Sequence, residues 1–194
     1  MPKLGMQPIR RDALIKATIE QIGEKGTTDV TVAQIARAAG MSSALAHHYF
    51  GSKSDILVEA MRQILRTYGD LVRGALVQAQ TPHERVQAII FASFAQPNFD
   101  RTHVVAWMNF YVLANVEPRA ARLLRVYQRR LRSNLAAHLR PLSGARAMDV
   151  AKRLAALIDG LYLYHSLRAE APNGARAAEH VNAALRAELA LCAS

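Results

Sequence analysis

Apolar residues return at three- and four-residue steps along almost the whole chain, and no stretch alternates strictly, so the pattern predicts helices and no strands. From Ile9 the positions Ala13, Ile15, Ala17, Ile19 and Ile22 mark an amphipathic helix that ends near Gly23 or Gly26, behind a basic arm over residues 1–8. Thr31 is a good N-cap, and Gln34 three residues on completes a capping-box pattern. Val32, Ile35, Ala36 and Ala39 follow at helical spacing, and Gly40 breaks the helix as a C-terminal glycine does. Ser42 caps a second short helix, Ser43 to about Phe50. Ser52 caps a third, with Asp55 placed to complement the helix dipole. The third runs to about Gln78 on the stripe Ile56, Leu57, Ala60, Met61, Ile64, Leu65, Tyr68, Leu71 and Val72, long enough to link two domains.

Further helices are predicted from Thr81 and Pro82 to about Ala95, from Phe99 to Asn115, and from Pro118 to about Arg140, where Pro141, Ser143 and Gly144 end the last of them. Two long helices remain, about Ala147 to Ala169 and Ala175 to Leu191, separated by Pro172, Asn173 and Gly174. The expectation is an all-α chain of about nine helices, rich in alanine.

At 194 residues, 51% of them hydrophobic and with a mean hydropathy of +0.01, the chain can bury a real core and does not read as a membrane protein. Lys3, Arg10 and Arg11 have no apolar signal core behind them, so a cytoplasmic location is expected. The one cysteine, Cys192, excludes an internal disulfide and reads as a passive terminal thiol. The formal net charge of +10 favours a polyanionic partner. It is uneven: residues 1–78 hold 10 Lys+Arg against 7 Asp+Glu, and residues 79–194 hold 15 against 8. Phosphate contacts are therefore expected at the Lys3, Arg10 and Arg11 cluster, and the arginine-rich remainder reads as a solvated helical surface.

Two short helices joined by a tight glycine turn make a helix-turn-helix, whose second helix enters the DNA major groove. Its outward residues are Ser43, Ala44, His47 and His48, with Ala46 and Phe50 facing the core and Leu45 between. Ser43 and His47 suit base edges, and Ala44 a thymine methyl. The helix has no Arg, Lys, Asn or Gln, so DNA shape shares the recognition. Adjacent histidines point about 100° apart, and no Cys or carboxylate cluster joins them, so no metal is expected.

The run TVAQIARAAG with the downstream HHYFGSK resembles the TetR family of bacterial transcriptional repressors, in which the recognition helix ends in an aromatic pair followed by a lysine. Here those residues are His48, Tyr49, Phe50 and Lys53. The resemblance implies Tyr49 and Lys53 on phosphates and Thr31 on the flanking backbone, with Ser42 at the edge of the DNA face. It also implies a helix-turn-helix domain over residues 1–55 (motif 31–50), and a ligand-binding and dimerisation domain over 56–194. The runs PKLGMQPIRR and AALIDGLYL look like a branch of that family that senses choline. That branch represses the genes of choline uptake and glycine betaine synthesis.

The second domain concentrates aromatics: Phe91 and Phe94 on one helix, His103, Trp107, Phe110 and Tyr111 on the next, Tyr162 and Tyr164 near Asp159. Aromatics at such spacing serve a core or a cage. A carboxylate embedded in an apolar run beside the only tryptophan points to a cage for a quaternary ammonium group such as choline. Its predicted members are Phe91, Phe94, Trp107, Phe110, Tyr111, Asp159 and Tyr162. The last two helices are the expected homodimer interface, through Leu157, Ile158, Gly160 and Leu161, giving a four-helix bundle about a two-fold axis. The alternative is that they only close the monomer core. There is no glycine-rich phosphate loop, nucleophile elbow, zinc-ligand spacing or carboxylate pair, so neither catalysis nor a cofactor is expected. The rival reading is a small-molecule binding protein whose helix-turn-helix is structural.

Overall fold

The computed structural model describes residues 6–193, and among them every regular element is a helix. The order is α1 (Met6–Lys25), α2 (Val32–Ala38), α3 (Ser43–Phe50), α4 (Lys53–Gln78), α5 (Pro82–Ser93), α6 (Arg101–Leu113), α7 (Pro118–Ser143), a 3-10 turn (Gly144–Arg146), α8 (Ala147–Ser166) and α9 (Gly174–Ala193). Three helix starts carry capping boxes. Thr31, Ser52 and Thr81 each accept from the backbone three residues on, and Gln34, Asp55 and Glu84 reach back to complete capping boxes.

Several boundaries shift by two or three residues, among them the ends of α5, α6 and α8, and two of the shifts have a local cause. α1 begins at Met6 rather than Ile9, because Pro8 falls in the first turn, where a helix leaves its N–H groups unused. α7 runs on through Pro141 to Ser143, since a proline in the last turn costs one bond only, and Gly144 at φ 52° ends the helix.

α4 is the spine. Its first half packs with α1, α2 and α3 around Leu14, Ile22, Val30, Ile35, Ala46 and Ile56, all fully buried. Each of these leucine, isoleucine and valine side chains stabilises by about 1.5–3 kcal/mol relative to exposure. Its second half lies beside α5 and α7. α7 runs parallel to α4, with Arg119 reaching Asp55 at one end and the rings of Tyr68 and Tyr127 meeting at 5.7 Å farther along. The core is continuous across both halves, and α4 passes unbroken through residue 55. α1 lies on the start of α6 so closely that a Cβ at Gly23 would sit 2.4 Å from the Thr102 carbonyl oxygen. No helix among the described residues is long and apolar enough to cross a membrane.

Candidate functional site

The turn of the helix-turn-helix is a Schellman cap. Gly40, at φ +68°, donates to the Arg37 carbonyl at 3.0 Å, and Met41 donates to the Ala36 carbonyl at 2.8 Å. Ser42 then accepts from the Leu45 N–H at 3.2 Å and starts α3. Ala46 and Phe50 are buried against the core, Leu45 and Ser43 are half-buried, and Ser42, Ala44, His47 and His48 are exposed on one open surface. The His47 Nδ1 lies 3.0 Å from the Gly51 carbonyl. A carbonyl only accepts, so Nδ1 carries the proton, and in the neutral ring Nε2 is then the acceptor. An acceptor there suits the amino group of adenine or cytosine in the major groove.

The basic residues divide. Arg11 donates to the Tyr49 carbonyl and stacks its guanidinium 4.3 Å over the Phe50 ring, bracing α1 against α3. Arg10 reaches the Tyr49 hydroxyl at 3.5 Å. The expected free phosphate cluster is thus largely turned onto the recognition helix, and Lys3 lies outside the described residues. Lys53 stands 3.6 Å from Asp29 in an exposed pair that a phosphate would easily replace. Thr31 is exposed at the tip of α2, its hydroxyl engaged by the capping box.

Just behind this surface, the first turn of α4 is clamped to the start of α7. Ser54 donates to Glu117, and Arg119 reaches Asp55 at 2.5 Å and Glu117 at 3.1 Å. The Arg119 guanidinium, helped by Ser54, holds the Glu117 carboxyl down at about 2. Ser52 and Arg119 lower that of Asp55.

The aromatics of the helical body converge on α4, α6, α7 and α8. Trp107 meets Tyr111 edge-on at 5.5 Å and Tyr127 at 5.2 Å, and Tyr127 meets Tyr68. Tyr162 donates to the Ser93 carbonyl at 2.7 Å and stands edge-on to Phe99 at 4.9 Å. Together Ile64, Leu65, Tyr68, Ser93, Asn98, Trp107, Tyr127 and Tyr162 enclose a cavity of about 20 Å³. Asp159 lies one layer behind Tyr127, whose hydroxyl donates to it at 3.2 Å. Burial pushes the Asp159 carboxyl up, opposed by hydrogen bonding from Tyr111 and Tyr127. Burial likewise raises the Tyr68 phenol to about 12, and burial with the Asp159 charge raises Tyr127 and Tyr111. The Tyr111 hydroxyl is buried without a hydrogen bond of good geometry. A groove of about 410 Å³ between α4 and α7 abuts the cavity and shares Leu65, Tyr68 and Tyr127 with it.

Five expectations need correction. Tyr111 does not line the cavity but an open depression with Ala121, Leu124 and Gln128 on α7, and it touches the box only through the edge of Trp107. Phe91 is 51% exposed, on the outer face of α5, and lies off the wall of this cavity. Phe110 is fully buried packing on the inner face of α6, off the cavity wall. Phe94 stacks on Tyr162 at 6.1 Å, and so supports the wall without forming it. Ile158 is fully buried inside the protomer, because its position on α8 faces the core rather than outward. Sequence reasoning missed Tyr68 and Tyr127, which it read only as members of apolar stripes or not at all.

On the outer face of α8, Leu157 and Leu161 are half-buried, Gly160 is exposed with open space around it, and Tyr164 and Leu167 extend the apolar surface. Leu157, Gly160, Leu161 and Tyr164, with the start of α9, line a broad open groove of about 920 Å³.

A helix-turn-helix on a ligand-sized helical body defines a transcriptional regulator, and comparison with known proteins agrees. Residues 14–60 match the family of bacterial regulatory proteins of the tetR type, and residues 82–190 match the C-terminal domain of BetI-type transcriptional repressors. The chain is 51% identical over 178 residues to the HTH-type transcriptional regulator BetI of Brucella melitensis, covering 91% of this chain and 90% of that one. It is 49% identical to BetI of Agrobacterium fabrum over 90% and 84% of the two chains. Among solved structures, a transcriptional regulator from Pseudomonas aeruginosa PAO1 matches at a TM-score of 0.79 with 26% identity, over 94% of this chain and 91% of that one. A regulator from Saccharomonospora viridis, solved in complex with choline, has the same fold, with a TM-score of 0.79, 24% identity and coverage of 91% and 95%. The chain belongs to the TetR family and, within it, to the BetI-type transcriptional repressors.

Proposed function

We infer that this protein represses genes of choline uptake and glycine betaine synthesis in the cytoplasm, and that choline modulates its affinity for the operator. The observation that carries the reading is the aromatic box of Tyr68, Trp107, Tyr127 and Tyr162 with Asp159 behind it. Rings supply cation–π attraction to a trimethylammonium group, and the carboxylate supplies the compensating charge. The BetI names of the relatives and the choline held by the similarly folded S. viridis protein point the same way.

In this reading the operator is held by a homodimer built on the outer faces of α8 and α9. Ser42, Ser43, Ala44, His47 and His48 face bases, and Thr31, Tyr49 and Lys53 face phosphates. Two recognition helices then sit one helical turn of DNA apart, or a multiple of it. A cavity of about 20 Å³ has room for roughly one water molecule. A trimethylammonium group therefore requires the box to open, and the wall it shares with the α4–α7 groove contains the Tyr68–Tyr127 pair. Parting those rings moves α4 against α7. The same two helices are clamped at the far end by Ser54, Asp55, Glu117 and Arg119, beside the recognition helix. A ligand that favours the parted state changes DNA affinity by the same free energy that DNA changes ligand affinity.

The test is a gel-shift titration of promoter DNA with and without choline, competed by specific and random duplex. Choline should shift the midpoint, and its uncharged isostere 3,3-dimethylbutanol should not. Equal action by the isostere would turn the reading to a regulator answering a small hydrophobic ligand. Binding that random duplex competes as well as promoter DNA would favour a binding protein without operator specificity.

A further inference from the structure

Among the described residues, six of the thirteen arginines outside α7 enter ion pairs. On α4, Arg62 and Arg66 both reach Glu59, and Arg73 reaches Asp70. Arg146 and Arg153 share Glu188, and Arg186 meets Glu179. α7 is denser in arginine and has no acid of its own. Its 26 residues hold seven arginines, so one helix carries +7 of the formal +10. Among the described residues only Arg119 of the seven enters an ion pair.

Arg122, Arg125, Arg129 and Arg132 follow one another at steps of three, four and three, which puts them on one helix face over about 15 Å. All four are exposed. Arg132 feels Asp159 at longer range. Like charges at these spacings weaken a helix, so the stripe is costly to the free protein. Its chemistry suits an anion, and the planar arginine fork matches phosphate oxygens in particular. Its position points to which phosphates. α7 starts at the clamp on the first turn of α4, one residue from Lys53, so the stripe begins at the DNA-facing end and climbs the flank of the body.

We propose that the α7 arginine stripe is a second phosphate-binding surface, which holds the duplex on either side of the operator as it leaves the recognition helices. The partner is double-stranded DNA of any sequence, because arginine–phosphate contacts position a duplex without reading it. A two-fold dimer presents one stripe to each flank. The bound region is then longer than the two recognition helices require, and the flanks curve toward the protein, most readily at flexible steps. The proposal rests on operator binding by the helix-turn-helix and is independent of the effector.

The test compares the full-length protein with the triple variant Arg122→Gln, Arg125→Gln, Arg129→Gln, which keeps helix-forming residues on α7. Each is titrated against the minimal protected duplex and against the same duplex lengthened by random sequence at both ends. The wild type should bind the longer duplex more tightly, with a log K against log salt slope steeper by about 2, one contact per protomer. The variant should bind both lengths alike and match the wild type on the minimal duplex. A wild type indifferent to flank length overturns the proposal, as does a variant weakened equally on both duplexes. Flotation of the wild type but not the variant with phosphatidylglycerol vesicles, without a flank effect, would assign the stripe to a membrane surface instead. Failure of the wild type to bind the minimal duplex would refute operator binding itself, whereas failure of the variant alone would overturn the proposal.

Discussion

Replacing Asp159 by Asn separates a cation site from a hydrophobic core. The carboxylate sits one phenol ring behind the cavity, so its charge would act on a cation centred there from ~6–8 Å. At an effective dielectric of about 20 that attraction is ~2–3 kcal/mol, or roughly 30- to 150-fold in choline affinity. Stability should behave differently. Burial raises the Asp159 carboxyl above its ordinary 3.8, so the folded chain holds that proton more tightly than the unfolded one. Ionising Asp159 therefore costs stability as pH rises from the unfolded value through the raised one. Asn keeps an acceptor for the Tyr127 hydroxyl and removes that cost, so at pH 7 the variant should melt no lower than the wild type. Choline needs the ionised form. Wild-type affinity should accordingly fall as pH drops through the raised Asp159 value, while that of the variant stays flat. Trp107, the single tryptophan, stands beside Tyr127 and reports binding by its fluorescence. A variant that binds choline as the wild type does would refute the charge argument. So would one that melts several degrees lower and loses binding only through unfolding.

Three further outcomes follow from the geometry. His47→Ala should reduce discrimination between operator and random duplex by ~1–3 kcal/mol, whereas Lys53→Ala should weaken both and flatten the salt slope by about 0.9 per protomer; gel shifts across a salt series measure each. Leu161→Asp places an unpaired charge on the outer face of α8, so sedimentation should show a folded monomer with lost operator binding, and a dimer of unchanged affinity would place the interface elsewhere. Glu117 is held at about 2 against an ordinary 4.5, so its contribution is present above 4.5 and disappears as pH falls from 4.5 toward 2. In Glu117→Gln the acid-induced loss of stability over that window should be smaller than in the wild type, as followed by circular dichroism.

Helix caps were legible because they are local. Thr31 with Gln34, Ser52 with Asp55, and Gly40 each carry their signal within four residues. The recognition face was legible for the same reason, since Ala46 and Phe50 set the phase of a two-turn helix. The cavity was half legible. Asp159 announces itself as an acid in an apolar run, but Tyr68 and Tyr127 lie 59 residues apart on parallel helices, and nothing local pairs them. Ile158 and Phe91 failed through phase. Both sit in runs where apolar residues fall on every side of the helix, so the stripe alone does not say which side meets the core. Arg11 failed because its partners, the Tyr49 carbonyl and the Phe50 ring, come from a tertiary contact.

The small volume of the box, about 20 Å³, bears on dose as well as shape. A sensor whose resting form excludes its signal answers at the intrinsic dissociation constant divided by the fraction of molecules already open. If one molecule in a hundred is open, the trigger concentration rises a hundredfold with every contact intact. The set point of such a sensor is then adjustable from outside the binding site, by any substitution that makes the α4–α7 seam easier or harder to part. Related proteins could keep the same rings and carboxylate and still respond at different solute levels, each tuned by residues that never touch the signal.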